Sequence, residues 1–320
     1  MTRAAGCVHV EAAGRLHFGV LDLRGTLGRW FGGIGTAAPA PTLLLSASLS
    51  DSTALECSGE DADRAHDFGS RFLRHHGVTR GGRIHVARGL PQHAGFGSGT
   101  QLALAVARAL AELHGLDTDV TALAKAVERT RRSGVGMWAF SGGGFVVEGG
   151  RKRDTDTAPL VARVPFPASW RCVVAVPDAP AGISGEAEAS AFSELPPPPP
   201  GDEERVAHLV LMALLPALVE DDLATFGATL TRIQEITGRW FAPVQGGTFA
   251  AGPSADLIQR LSSWGAVGVG QSSWGPAVYA IVNGDPAATA LAARVRTSFG
   301  NTGAVFEGPF RNEGARVWRT

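Results

Sequence analysis

The richest concentration of residues able to hold an anion is GLPQHAGFGSGTQLALAVARAL, residues 89–110. Gly95, Gly97, Ser98 and Gly99 fall in five positions just before a long Ala/Leu run, and Thr100 and Gln101 follow them. Glycines let the main chain approach a bound group and aim successive N–H donors at it. A helix beginning there adds unpaired amides and the positive end of its dipole. The chemistry expected is capture of a phosphate or diphosphate; the plain alternative is a turn with a helix cap.

Two other segments are rich in Gly, Ser and polar groups. Residues 132–144 hold Arg132, Ser133, Gly134 and a run of three glycines, and residues 268–276 hold Gln271, Ser272 and Ser273. Gln245 stands before a glycine pair. None of these is specific alone, but together they suggest one cleft between two domains. Arg15, His17 and Asp22 are the polar members of an apolar opening segment, RLHFGVLDL at 15–23. Strand alternation sets Arg15 and His17 on one face and Asp22 on the other, unless the backbone bends near Gly19. Their alternative role is a buried salt bridge between the first strands. Glu188 is a weaker candidate.

The positioning elements read as strands at 8–23 (broken at Gly14), 42–49, 83–87, 145–147, 172–180 and 304–306, with a strand–turn–strand at 267–282. Helical spacing marks 61–76, the run after 98, 121–132, two helices within 203–237 broken near 220–222, 255–264 and 286–299. Residues 24–35 read as a glycine-rich hairpin or loop, and five prolines at 196–200 as an exposed extended spacer. This order is α+β rather than a doubly wound parallel sheet. A boundary near 155–170 divides the chain into domains 1–165 and 166–320.

Composition narrows the functions. The chain has 320 residues and a formal net charge of −1, with no basic footprint for nucleic acid. Lys125 and Lys152 are its lysines and no Gly-Lys-Ser/Thr occurs, which excludes a lysine-bearing P-loop and leaves phosphate contacts to amides and arginine. Three isolated cysteines, Cys7, Cys57 and Cys172, make neither a zinc site nor a disulfide framework. No signal core or membrane span is evident, so the expectation is a cytoplasmic protein.

Segment PQHAGFGSGTQLA, 91–103, resembles the P-x-x-x-G-L-G-S-S-A-A loop of the GHMP superfamily of small-molecule kinases, and VGVGQSSWGP, 267–276, its C-terminal glycine motif. The likeness covers nearly the whole chain. It implies an N-terminal domain with a left-handed β-α-β crossover, then a ferredoxin-like C-terminal domain. RLHFGVLDL, RSGVGMWAFSGGGFVVEGG (132–150), PVQGGTFA (243–250) and GVGQSSWGP (268–276) resemble one branch more closely, the β-ribofuranosylaminobenzene 5′-phosphate synthases. That branch couples phosphoribosyl pyrophosphate to 4-aminobenzoate or 4-hydroxybenzoate, releasing diphosphate and carbon dioxide, on the way to tetrahydromethanopterin. Where many superfamily kinases carry a catalytic aspartate after Ser-Gly-x, this chain has Ser133-Gly134-Val135-Gly136. Some superfamily kinases lack that aspartate, so an ATP-dependent kinase and a non-catalytic ligand sensor stay open.

On the synthase reading, Arg15, His17, Asp22 and Arg132 are the catalytic candidates. Gly95, Gly97, Ser98, Gly99, Thr100, Gln101, Ser133, Gly134, Gln245, Gln271, Ser272 and Ser273 are the binding candidates. Magnesium is the expected companion of the diphosphate, with no ligands identified, and a homodimer is implied by resemblance alone. An apolar pocket would favour loss of the aryl carboxylate. Trp30, Phe31, Trp138, Phe140 and Trp274 are candidates for its walls, each with core packing as the alternative.

Overall fold

A computed structural model describes residues 6–129, 133–152, 157–183, 185–300 and 302–320, with only the backbone of 185, 186 and 189. Arg132 lies outside the described residues.

The chain opens with β1 (Val8–Asp22), β2 (Phe31–Leu49), β3 (Leu55–Gly59), α1 (Ala62–His75) and β4 (Gly82–Arg88). Then come α2 (Ser98–His114), α3 (Val120–Ala126), α4 (Val135–Gly142), β5 (Phe145–Glu148) and β6 (Leu160–Val164). With β11 (Arg316–Arg319) these strands form one sheet ordered β11-β1-β2-β4-β3, and β5 and β6 branch from β2. β3 runs parallel to β4 with α1 between them, the β-α-β crossover of this domain. A second, antiparallel sheet, β10-β7-β9-β8, is built from β7 (Trp170–Val176), β8 (Gly268–Gln271), β9 (Val278–Asn283) and β10 (Ala304–Pro309). Around it lie α5 (Gly185–Glu194), α6 (Asp202–Leu209), a π-turn (Val210–Leu214), α7 (Leu215–Val219), α8 (Leu223–Gln245), α9 (Pro253–Ser263) and α10 (Gly284–Phe299). The fold is α+β, as its pattern predicts. No helix among the described residues is long and apolar enough to cross a membrane.

Three apolar clusters hold these layers. Val10, Leu45, Ile84, Phe72 and Val106 fill the space between the first sheet and α1–α3. Leu16, Phe18 and Ile34 of the first sheet pack with Trp170, Phe226, Ile233 and Tyr279, so the second core draws on both halves of the chain. Val269, Ala280, Leu257 and Leu291 form the third, under α9 and α10. α8 begins at Asp222, whose carboxylate accepts from the Thr225 amide at 3.0 Å.

The first strands differ from their sequence reading. Gly14 does not break β1; the irregularity is a shift in register between Ala13 and Arg15. Only 23–30 are turn, and the chain is strand from Phe31 for 19 residues. Gly35 is there for close packing: a Cβ on it would lie 2.3 Å from the Leu16 carbonyl oxygen and 2.6 Å from Val135 of α4. α3 is shorter than the expected 121–132, ending at Ala126. The break near 220–222 and the non-helical proline segment are as read. The second half does not stay apart: β11 returns to pair with β1.

Candidate active site

Arg15 joins the three glycine-rich segments. Its guanidinium donates to the Gly95 carbonyl at 2.6 Å and lies 3.5 Å from the Ser272 hydroxyl. Ser272 in turn donates to Gly95 O at 2.7 Å and accepts from the His17 amide at 3.0 Å. Gly95 and Gly97 are required here. Both have positive φ, and a Cβ would lie 2.5 Å from Ser272 O at the first and 2.9 Å from Arg15 Cγ at the second. The third segment meets this pair through His17, whose Nε2 is 3.1 Å from Ser133 Oγ.

The place of the kinases' aspartate faces the same spot without an acid. A Cβ on Gly136 would meet Thr100 at 3.4 Å, the Gln101 amide at 3.5 Å and Arg15 at 3.6 Å. Gln101, buried at the start of α2, donates to the Gly136 carbonyl at 2.9 Å. Two departures from the kinase pattern are therefore one feature: the longer side chain at 101 occupies the room beside a residue with none.

Two arginines add charge at the start of α2. A Cβ on Gly99 would fall 3.0 Å from Arg129 Nη2 and 3.1 Å from Arg64 Nη2. Arg64 also donates to Asp61 at 3.0 Å, and Arg129 lies over the Phe68 ring at 4.9 Å. Guanidinium groups beside amide donors at a helix start suit phosphate oxygens. Arg129 belongs to an arginine-rich helix end visible in the sequence; nothing marks Arg64, on an amphipathic surface helix.

Behind Arg15 is a buried hub. Glu148, fully buried, accepts from Ser133 Oγ at 3.2 Å and from the amides of Gly134 at 3.1 Å and Gly150 at 2.8 Å. Burial pushes its carboxyl above the ordinary value, opposed by the Gly150 and Gly134 amides and Ser133. Burial, then the neighbouring Arg15 charge, pulls His17 down to about 3, so its ring is neutral at physiological pH. Burial lowers Arg15 to about 10 against the opposite pull of Glu188, so it stays charged. Glu148 gives no signal in sequence; it reads as an ordinary strand end.

Several candidates are used within the fold. Ser133 and Gly134 serve Glu148, as described. Gln245 donates to the Gly247 and Thr248 carbonyls at 3.0 and 2.8 Å and accepts from Gln271 at 3.2 Å. Gln271 also accepts from the Ala250 amide at 2.7 Å and donates to the Ser273 carbonyl at 2.9 Å. These amides brace the turns on either side of the site. Ser98 opens α2 and is nearly buried.

Asp22 is apart from the hub. Arg15, His17, Val20 and Asp22 oppose Ala37, Gly35, Gly33 and Phe31, alternate residues of β2, because a bulge follows His17. Asp22 pairs with Phe31, four residues along β2 from Gly35, the partner of His17, a span of about 13 Å. Its carboxylate accepts from the Arg24 and Gly25 amides at 2.8 and 2.7 Å. Burial raises the Asp22 carboxyl, the Gly25 amide opposes, and adjacent Glu203 adds to the rise. Glu203, although burial acts to raise it, is held low by Arg24 and the amides of Leu23 and Arg24.

The aromatic candidates separate into two groups. Phe31 and Trp274 join Phe192 and Phe241, with ring centres 5.0–5.9 Å apart. Trp138 and Phe140 instead line a separate cavity of about 310 Å³ with Arg108, Asp119 and Val317. Trp30 pairs its backbone with Arg151.

Residues 64–144 match the GHMP kinases N terminal domain and residues 214–301 the GHMP kinases C terminal family. A homoserine kinase structure from Cytophaga hutchinsonii has the same fold, with a TM-score of 0.75 and 18% identity over 99% of both chains. A beta-ribofuranosylphenol 5'-phosphate synthase from Methanothermobacter thermautotrophicus is 34% identical over 298 residues, 87% of this chain and 89% of the relative. The chain belongs to the beta-ribofuranosylphenol 5'-phosphate synthase family. Another member, from Archaeoglobus fulgidus, is 35% identical over 86% of this chain and 88% of its own. Membership makes the chain an enzyme of the transferase branch of the superfamily, acting on small molecules.

Proposed function

We propose that this enzyme condenses phosphoribosyl pyrophosphate with 4-hydroxybenzoate or 4-aminobenzoate, releasing diphosphate and carbon dioxide, as a cytoplasmic homodimer in tetrahydromethanopterin synthesis. The observation that carries it is Gly136: an anion loop, Arg15 and a helix start converge where the kinases' acid is absent. Those superfamily kinases that carry the aspartate have a base for an alcohol at this place; the transferase needs stabilised negative charge, which the arginines and α2 supply.

The reaction forms a bond from the ring carbon bearing the carboxylate to the anomeric carbon, while the anomeric C–O bond to diphosphate breaks. The ring–carboxylate bond then gives its electron pair back to the ring. The sequence of demands is charge stabilisation on the leaving group, alignment, and desolvation of the carboxylate. Arg15, Arg64, Arg129 and the first-turn amides of α2 answer the first. Among the described residues no three His, Cys, Asp or Glu side chains cluster to hold a metal. Magnesium, as a companion of the diphosphate, would supply charge neutralisation there. Neutral His17 and the Glu148 hub hold Arg15's strand against the loop. The test is release of labelled carbon dioxide from carboxyl-labelled 4-hydroxybenzoate and 4-aminobenzoate. Release dependent on phosphoribosyl pyrophosphate is expected; no release from folded protein with either acid overturns the reading.

A further inference from the structure

Four aromatic rings from four separate elements meet in one cluster. Phe31 begins β2, Phe192 lies on α5, Phe241 on α8, and Trp274 in the turn between β8 and β9. Phe192 is the centre: its ring centre is 5.3 Å from that of Phe31, 5.9 Å from Phe241 and 5.7 Å from Trp274, at interplanar angles of 72–83°. Phe241 and Trp274 close the group at 5.0 Å and 81°. Each contact is edge to face, the arrangement the ring quadrupoles favour. Phe31, Phe192 and Phe241 nevertheless remain only half-buried. A contiguous aromatic surface left partly in water marks a binding face more often than an unfinished core.

Its position says what it faces. Phe31 stands at the start of β2, opposite Asp22 of β1. Trp274 follows two residues after Ser272, whose hydroxyl anchors Gly95 and lies near Arg15. On α5, Glu188 is one turn before Phe192, so the two share a helix face. Glu188 acts electrostatically on the Arg15 guanidinium. Trp274 and Glu188 thus tie the wall to the anion-binding side of the site, where a second, uncharged-ring substrate must lie to meet the anomeric carbon.

We propose that Phe31, Phe192, Phe241 and Trp274 form the subsite for the aryl acid, with Phe192 the residue that determines how well the ring binds. This rests on the transferase reading. A benzoate ring laid against these four side chains exchanges water for aromatic contact. The Arg151 guanidinium lies over the Phe31 ring, 5.5 Å from its centre, so the wall has one charged edge, and the ring faces away from it take the benzoate carboxylate out of water, which favours its departure as neutral carbon dioxide. Separation of the ring subsite from the anion-binding arginines also separates the two substrates' kinetic constants.

The experiment compares Phe192→Ala and Phe192→Leu with the unaltered enzyme, measuring KM for 4-hydroxybenzoate and for phosphoribosyl pyrophosphate. Calorimetric titration of 4-hydroxybenzoate into each protein, with diphosphate present, gives binding without turnover. The expected result is a rise of about tenfold in aryl-acid KM and Kd for Phe192→Ala, from the loss of ring burial and ring contact. A smaller rise is expected for Phe192→Leu and less than about twofold in the KM for phosphoribosyl pyrophosphate. Normal turnover with unchanged aryl-acid KM and Kd in both variants overturns the subsite and leaves the transferase reading intact. Absence of carbon dioxide release by unaltered protein, with Phe192-dependent binding of 4-hydroxybenzoate, overturns the transferase reading and retains the subsite. Phe192 is half-buried on α5; circular dichroism verifies that each variant folds, and Phe241→Leu, expected to raise aryl-acid KM in the same direction, provides an independent variant.

Discussion

His17 carries a proton with difficulty in the folded chain, and this has a definite sign. Its folded value is about 3, against 6.5 for an ordinary histidine. Between those values the unfolded state binds more protons, so stability falls as pH drops from about 6.5 towards 3. Glu148 acts oppositely, since burial raises its carboxyl above 4.5 and stability is lost as pH rises beyond that value. Urea unfolding from pH 4 to 7 should therefore show a flatter or more negative slope for His17→Gln and a steeper rise with pH for Glu148→Gln. One proton corresponds to at most about 1.4 kcal/mol per pH unit. At the other end of the hub, Arg129→Ala and Arg64→Ala are expected to raise the KM for phosphoribosyl pyrophosphate about tenfold or more, leaving that for the aryl acid unchanged, as steady-state kinetics will show. Ser98→Ala should act in the same direction. Arg15, His17, Gly95 and Ser272 were legible because each stands in a motif. Glu148, Arg64 and Phe192 were not, because their meaning comes from partners far away in the chain.

At the scale of elements, the loop before α2 and the turn after β8 are fitted to each other through bare main chain. Gly95 has φ +88°, and a Cβ there would lie 2.5 Å from Ser272 O. Gly115, which ends α2 at φ +65°, has nothing within 4 Å of such an atom. Gly95→Ala should thus cost about 2–4 kcal/mol from both strain and collision, and Gly115→Ala about 1 kcal/mol from backbone strain alone, measured by urea unfolding. Periodicity and turn residues predicted most of the elements, including the strand–loop–helix that holds the anion site. They failed at 31–35, where Gly32, Gly33 and Gly35 read as loop. Those glycines instead let β1, β2 and α4 approach, a tertiary demand that local sequence does not display. The bulge after His17 was similarly hidden, although Gly19 pointed to its place.

Over the whole molecule, the core formed by Leu16, Phe18 and Ile34 with Trp170, Phe226 and Tyr279 makes the halves depend on each other. The resemblance motifs, spread from residue 15 to 276, made this two-domain fold legible, but a boundary near 165 understates how the halves share that core. The last strand enforces the same dependence: β11 pairs Arg316–Arg319 with Val8–Glu11, and Thr320 and Cys7 exchange backbone bonds at 3.0 and 2.9 Å. Deleting residues 315–320 should lower stability by about 2–4 kcal/mol through lost pairing and promote association through the opened edge of β1. Chemical unfolding and light scattering measure the two effects.

That pairing also sets an order of events during synthesis. β1 leaves the ribosome long before its outer neighbour is made. Until β11 emerges, the first sheet must wait with one edge bare, so the nascent chain is vulnerable throughout that interval. An affinity tag appended directly at Thr320 would prolong that vulnerability, whereas one at the exposed Leu27 turn would leave the closing strand free to dock.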